Sequence, residues 1–117
     1  MYCQVCGRPH AEKHHIVFKS QGGLDIKVNY KWLCYEHHRG NEGPHLNHNT
    51  DMRYKCEMQE ELFRLLAKKE EYQIKEVAAL IGYDRNRLEK KFRDVENHCG
   101  EFKVEDIVRK LMGGKLY

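Results

Sequence analysis

Two short segments carry the spacing of metal ligands. Cys3-Gln4-Val5-Cys6 and Cys34-Tyr35-Glu36-His37 each set two ligating side chains on either side of two residues. That spacing lets both members of a pair reach one ion from a tight turn. Two such pairs complete the closed tetrahedral set that structural zinc takes. Gly7, directly after the first pair, gives the turn its freedom to reverse. His38 competes for the place of His37, and the plainer alternative makes Cys3 and Cys6 incidental surface thiols. Cys56 and Cys99 read as ordinary buried or half-buried thiols.

A second constellation lies between and just after the pairs. It begins with His14-His15-Ile16-Val17-Phe18-Lys19-Ser20-Gln21-Gly22-Gly23 and continues with Asn29-Tyr30-Lys31-Trp32-Leu33-Cys34-Tyr35-Glu36-His37-His38. The doubled histidine, the Ser and Gly-Gly loop, the Asn before an apolar strand and the histidine after the second pair occur in a set order. In that order they resemble the HNH nuclease family, over about residues 3 to 48. The resemblance implies a small ββα-metal core with a zinc knuckle, and metal-dependent hydrolysis of DNA phosphodiester bonds. It implies His14 and His38 as ligands of a catalytic divalent ion, His15 as general base, and Asn29 as the residue that orients the base-bearing loop.

The residue types suit that chemistry. Hydrolysing a phosphodiester takes a deprotonated water, a cation on the phosphate oxygens and stabilisation of the leaving alkoxide. Histidine titrates near neutral pH, which fits the base. Adjacent residues of a strand face opposite sides, so His14 and His15 hold different jobs unless the strand bends. Imidazole ligands accept Mn, Ni, Co or Zn, whereas Mg prefers oxygen but is abundant in cells. Many relatives continue the helix past the third signature residue and add a ligand one turn on. Here that position is Glu42, and Gly40 and Gly43-Pro44 interrupt the helix. His45, with His48 and His10 behind it, is the alternative further ligand, unless the ion keeps only two protein ligands, and Arg39 is a candidate phosphate contact.

These side chains need elements to hold them. Residues 1–49 are rich in Cys, His and Gly and read as two short strands, His15–Phe18 and Tyr30–Cys34, joined by a long loop. So small a core is marginal without a structural metal. From residue 50 to 117 the chain turns helical. Thr50 is the expected N-cap of a helix whose stripe runs through Cys56, Met58, Gln59, Leu62, Phe63, Leu65 and Leu66. Helices over Lys75–Ile81, Arg85–Phe92 and Val104–Met112 follow. Gly82 is read as a left-handed helix end, Asp84 as an N-cap and Gly113-Gly114 as the final stop. No internal repeat is read. The fold class expected is α+β.

Glu76 to Leu88 has the pattern of a helix-turn-helix, with Ala78 allowing close approach and Val77, Ile81, Tyr83 and Leu88 facing inward. Its second helix carries Arg85, Arg87, Lys90, Lys91 and Arg93 against Glu89 alone, as a groove-facing helix would. The last apolar position falls at Phe92 instead of Lys91. An ordinary helical pair with a solvated cationic face is the alternative.

Composition bounds these readings. The 117 residues are 40% hydrophobic and 33% charged, with a net charge of +3; the mean hydropathy is -0.86. No stretch approaches the ~20 apolar residues of a spanning helix, so no membrane association is expected. The mild positive charge permits nucleic acid, with double-stranded DNA the expected partner. No secretory signal is read, and a reducing cytoplasm of a bacterial or phage-infected cell is expected, where thiols serve metals. The whole reads as a zinc-stabilised nuclease of phage or mobile-element type with a DNA-docking tail. One site per chain makes nicking the default for a monomer. The alternatives are a zinc-containing DNA-binding module that does not cut, and a nuclease directed to RNA or to DNA structure. Target sequence and oligomeric state are not legible.

Overall fold

The computed structural model describes residues 1–117 and has an α+β architecture. A hairpin opens it: β1 (Glu12–His15) runs antiparallel to β2 (Tyr30–Leu33), with Glu12 opposite Leu33 and His15 opposite Tyr30. The helix α1 (Tyr35–Arg39) follows at once and ends at Gly40. The first strand thus lies earlier than the His15–Phe18 expected from hydropathy. Ile16 and Val17 are adjacent and both buried. A strand with one core-facing side buries alternate residues, so this pair belongs to a loop entering the core.

The long helix α2 (His48–Leu65) is capped by Asn47, whose side chain accepts from the Thr50 N–H at 3.1 Å. The cap therefore precedes the expected Thr50, which is itself buried in the first turn. The core face of α2 runs through Tyr54, Met58 and Leu62 to Leu66, one residue every turn. Phe63, expected on that stripe, is exposed, while Cys56, Gln59 and Leu65 are half-buried.

Two short strands follow that hydropathy did not reveal. β3 (Glu71–Gln73) leads straight into α3 (Ile74–Ile81), and β4 (Glu101–Lys103) leads straight into α5 (Val104–Leu111). The strands pair antiparallel, with Tyr72 opposite Phe102. The two β–α units correspond residue by residue: Tyr72, Val77, Ala78 and Ile81 are buried in one, and Phe102, Ile107, Val108 and Leu111 in the other. This corrects the reading of a chain without repeats. Three-residue strands are too short for an alternating signal, and the shared pattern is one of burial more than of identity.

Between the units sits α4 (Arg85–Lys91). Gly82 ends α3 at a left-handed φ of 72°, and Asp84 accepts from the Arg87 N–H at 2.9 Å, both as the sequence indicates. Phe92, one residue past α4, is buried edge-to-face on Phe102 with ring centroids 5.3 Å apart. The displaced apolar position thereby finds its partner on the second strand pair. Cys99 lies exposed in the turn before β4, at φ 53°, and is not the buried or half-buried thiol expected.

One apolar cluster joins the chain on both sides of residue 49. Ile16, Val17, Leu24, Ile26 and Leu33 share it with Met58, Leu62, Val77, Leu88, Ile107 and Leu111. At the seam, Gly113 lies at φ 88°, and a Cβ there would stand 2.5 Å from the Gln21 carbonyl oxygen. The end of α5 can therefore press backbone to backbone on the loop that follows β1. No helix is long and apolar enough to cross a membrane.

Candidate metal centres and catalytic site

The first metal-ligand group forms where the N-terminal turn meets the β2–α1 junction. Cys3, Cys6, Cys34 and His37 each bring one donor atom within 4.8 Å of all the others. His37 uses Nδ1, 3.2 Å from the Cys34 sulfur and 3.7 Å from that of Cys3. Burial works against ionising Cys3, yet backbone N–H groups of Cys34, Cys6 and Val5 outweigh it and bring the thiol down to about 6. Three sulfurs and one imidazole at this separation could hold a metal such as zinc. The spacing of two pairs assembles as the sequence implies, and His38 is not the fourth member.

His38 faces the other way. His14, His38 and His45 form a second group, again with donor atoms within 4.8 Å of one another. His38 Nε2 lies 3.2 Å from His14 Nδ1 and 2.9 Å from His45 Nε2. The three come from β1, α1 and the loop after α1. That loop can double back because of its glycines. A Cβ on Gly40 would stand 2.4 Å from the Glu36 carbonyl oxygen, and one on Gly43 would stand 2.4 Å from that of His38. The helix break that seemed to remove a ligand thus delivers His45 over His38. Glu42, His10 and His48 are exposed and outside the group.

His14 and His45 are built to stay neutral. Burial, followed by the positive charge of His38, His45, His15 and Lys55, holds His14 down to about 3 from an ordinary 6.5. Burial and then His38 lower His45 as well. An unfolded chain takes up a proton at His14 below about 6.5, while the folded chain refuses it until about 3. Stability therefore falls as pH drops through that window and is recovered above it. Between neutral pH and the lower end of that window, zinc-loaded protein without added second metal should lose stability faster than His14→Gln. The expected difference approaches about 1.4 kcal/mol per pH unit. Thermal melts across the range check this, and parallel slopes would contradict it.

The loop between the strands is pinned by Asn29, which is fully buried. Its Oδ1 accepts from the Val17 N–H at 2.7 Å, and its Nδ2 donates to the carbonyls of Val17 at 3.1 Å and Leu24 at 2.9 Å. One side chain thus closes the loop at both ends. Asn29→Ala leaves three buried backbone groups without this partner, at about 1–3 kcal/mol for each that stays unsatisfied. We expect a loss of about 3 kcal/mol in denaturant unfolding; a change under about 0.5 kcal/mol would show that the loop does not depend on it.

His15 projects from the opposite face of β1 to His14 and is half-buried. Its Nε2 lies 2.7 Å from Asp25 Oδ1, with Lys19 on the other carboxylate oxygen at 3.3 Å. Hydrogen bonds from His15 and then Lys19 hold the Asp25 carboxyl below its usual range. With Nε2–H donating to Asp25, the free lone pair of the ring is at Nδ1.

Sequence reasoning missed Glu12, Asp25, Asp51 and Lys55. Glu12 accepts from His38 Nδ1 at 2.7 Å and from Arg39 Nε at 3.2 Å, while the rest of the Arg39 side chain stays exposed. Lys55, buried on α2, pairs with Asp51 at 3.0 Å. His14 Nε2 and Asp51 Oδ1 are buried without a partner. Glu12 had a legible signal, since it stands two residues before His14 on one strand face. The others arise from long-range packing.

On α4, Arg87, Lys90 and Lys91 are exposed, as is Arg93 just past its end, and Arg85 pairs with Glu89 at 3.4 Å. The cations expected on a groove-facing helix are thus at the surface. Compared with family models, with curated proteins and with solved structures, the chain matches none.

Proposed function

We propose that the chain is a metal-dependent endonuclease of the HNH type, with a ββα-metal core, that hydrolyses DNA phosphodiester bonds. The observation that carries this reading is the convergence of His14, His38 and His45 beside a loop locked by Asn29 and a half-buried His15. The donor set fits a divalent transition ion: three imidazoles from three elements, one of them from an exposed loop residue. Mn, Ni and Zn suit it best, and Mg is the oxygen-preferring alternative. An ion held there supplies Lewis-acid stabilisation of the phosphate charge.

The chain's own residues do the rest. His15 Nδ1 takes the proton of the attacking water, and the imidazolium that forms is stabilised by the Asp25 carboxylate on its other nitrogen. Asn29 keeps the intervening loop fixed, so the base does not drift. Cys3, Cys6, Cys34 and His37 hold a structural zinc that ties the N-terminal turn to α1, and so positions His38 at one end of the same helix. In this reading α3 and α4 act as a helix-turn-helix. Arg85, Arg87, Lys90, Lys91 and Arg93 lie along duplex DNA as phosphate contacts, with Arg39 nearer the cut.

The test is a duplex labelled at one end, incubated with zinc-loaded protein and Mn, Ni, Mg or a chelator. The reading expects metal-dependent fragments. A shifted band that is never cut under any metal would favour a zinc-containing module that binds DNA without cutting it.

A further inference from the structure

The carboxylate of Glu12 stands behind the three-histidine group and has no role in the reading above. Glu12 and His14 lie two residues apart on β1 and so share a strand face. One supplies a ring nitrogen to the group and the other reaches across to α1. Glu12 Oε1 lies 2.7 Å from His38 Nδ1. The opposite nitrogen of that ring, Nε2, is the one that meets His14 and His45. A neutral imidazole carries one proton, and a carboxylate can only accept. The contact therefore places the proton on Nδ1 and leaves the Nε2 lone pair turned to the centre. Arg39 Nε, 3.2 Å from the same oxygen, fixes the carboxylate from its solvent side. His38 is buried, so no water competes for Nδ1 as freely as it would at the surface.

We propose that Glu12 is a positioning residue for the three-histidine metal centre, holding His38 as the Nδ1–H tautomer with its ring plane fixed. The inference rests on the reading of that centre as a metal site. Carboxylate partners of metal-bound histidines set tautomer, orientation and ligand basicity, and losing one weakens metal binding by about 10–100-fold. Glu12→Ala removes the acceptor. Glu12→Gln keeps a neutral acceptor in the same place and should lie between the two, which makes it the conservative rescue. Arg39→Ala leaves the carboxylate in reach of His38 and should cost least.

The experiment is calorimetric titration of nickel into zinc-loaded protein, wild type beside Glu12→Ala and Glu12→Gln. It is read together with nitrogen NMR of the His38 ring at about pH 8, above the ordinary histidine range. We expect one nickel site in the wild type, weakened about 10–100-fold in Glu12→Ala, and partly restored in Glu12→Gln. The wild-type ring should carry its proton on Nδ1, and Glu12→Ala should show mixed tautomers at unchanged zinc content. Should Glu12→Ala fail to fold, Glu12→Gln alone decides, by a weakened site or an altered ring signal. Nickel affinity within twofold of wild type together with an unchanged tautomer would overturn the role of Glu12 while leaving the metal centre standing. A wild type that binds no nickel beyond its zinc would overturn the centre itself, and the role of Glu12 with it.

Discussion

Cys34→Ala is expected to release the knuckle zinc and unfold the N-terminal part of the chain. The two ligand pairs meet at the side chain of Cys34. Its sulfur lies 3.7 Å from that of Cys6 and 3.2 Å from His37 Nδ1, and its carbonyl accepts from the His38 N–H at 2.8 Å as α1 begins. Zinc held by such a set contributes about 10–16 kcal/mol of apparent binding free energy in small zinc domains. A whole domain has a net stability of only about 5–15 kcal/mol. The N-terminal turn and the five-residue α1 add no side chain to the apolar cluster, so little holds them without the metal. Metal analysis should find the zinc lost, and the melting temperature should fall by well over ten degrees, a shift of about 3 kcal/mol or more at this chain length. Because α1 carries both His37 and His38, the second centre should fail in the same variant. Cys99→Ser, on the exposed turn, should change neither quantity. A Cys34→Ala protein that kept its zinc and its melting temperature would show that the knuckle does not hold the fold.

His15→Ala is expected to lower cleavage by about 10²–10⁴-fold while sparing both metal groups. A positioned base contributes that much because the attacking water must lose its proton as the bond to phosphorus forms. His15 lies outside both ligand groups, so its removal leaves all seven donor atoms where they are. Its loss also frees Asp25, which keeps Lys19 as a partner at 3.3 Å. Zinc content, nickel affinity and duplex binding should therefore stay near wild type while the rate collapses. Asp25→Asn should also lower the rate, because the amide no longer stabilises the imidazolium and can turn its NH2 to Nε2, which puts the ring proton on the wrong nitrogen. Cleavage by His15→Ala at the wild-type rate would move the base elsewhere.

Local patterns were the most legible part of this molecule. The paired spacings of Cys3/Cys6 and Cys34/His37 became one group because each needs only a tight turn and a short approach. Gly82 and Asp84 were readable because a left-handed φ and a capping carboxylate are one-residue decisions. His14 and His38 lie 3.2 Å apart, and Asn29 cross-links the loop. What was left open or unseen is long-range. His45, an alternative ligand in the sequence, enters its group through close backbone approaches at Gly40 and Gly43, which no periodicity records. The start of α2 was displaced because Asn47, three residues before Thr50, competes for the same cap. The repeated β–α units went unseen because strands of three residues leave no alternation to detect. The charged partners Asp25 and Lys55 are set by packing alone.

The central claim is that His14, His38 and His45 hold an ion with which the chain hydrolyses phosphodiester bonds. The most direct measurement is conversion of supercoiled plasmid by zinc-loaded protein with added Mn, Ni or Mg, beside a chelator control and His14→Ala. The account predicts metal-dependent relaxation or linearisation in the wild type. In His14→Ala it predicts none, at unchanged knuckle zinc. Equal cleavage by the two proteins, or an intact plasmid under every metal, would contradict it.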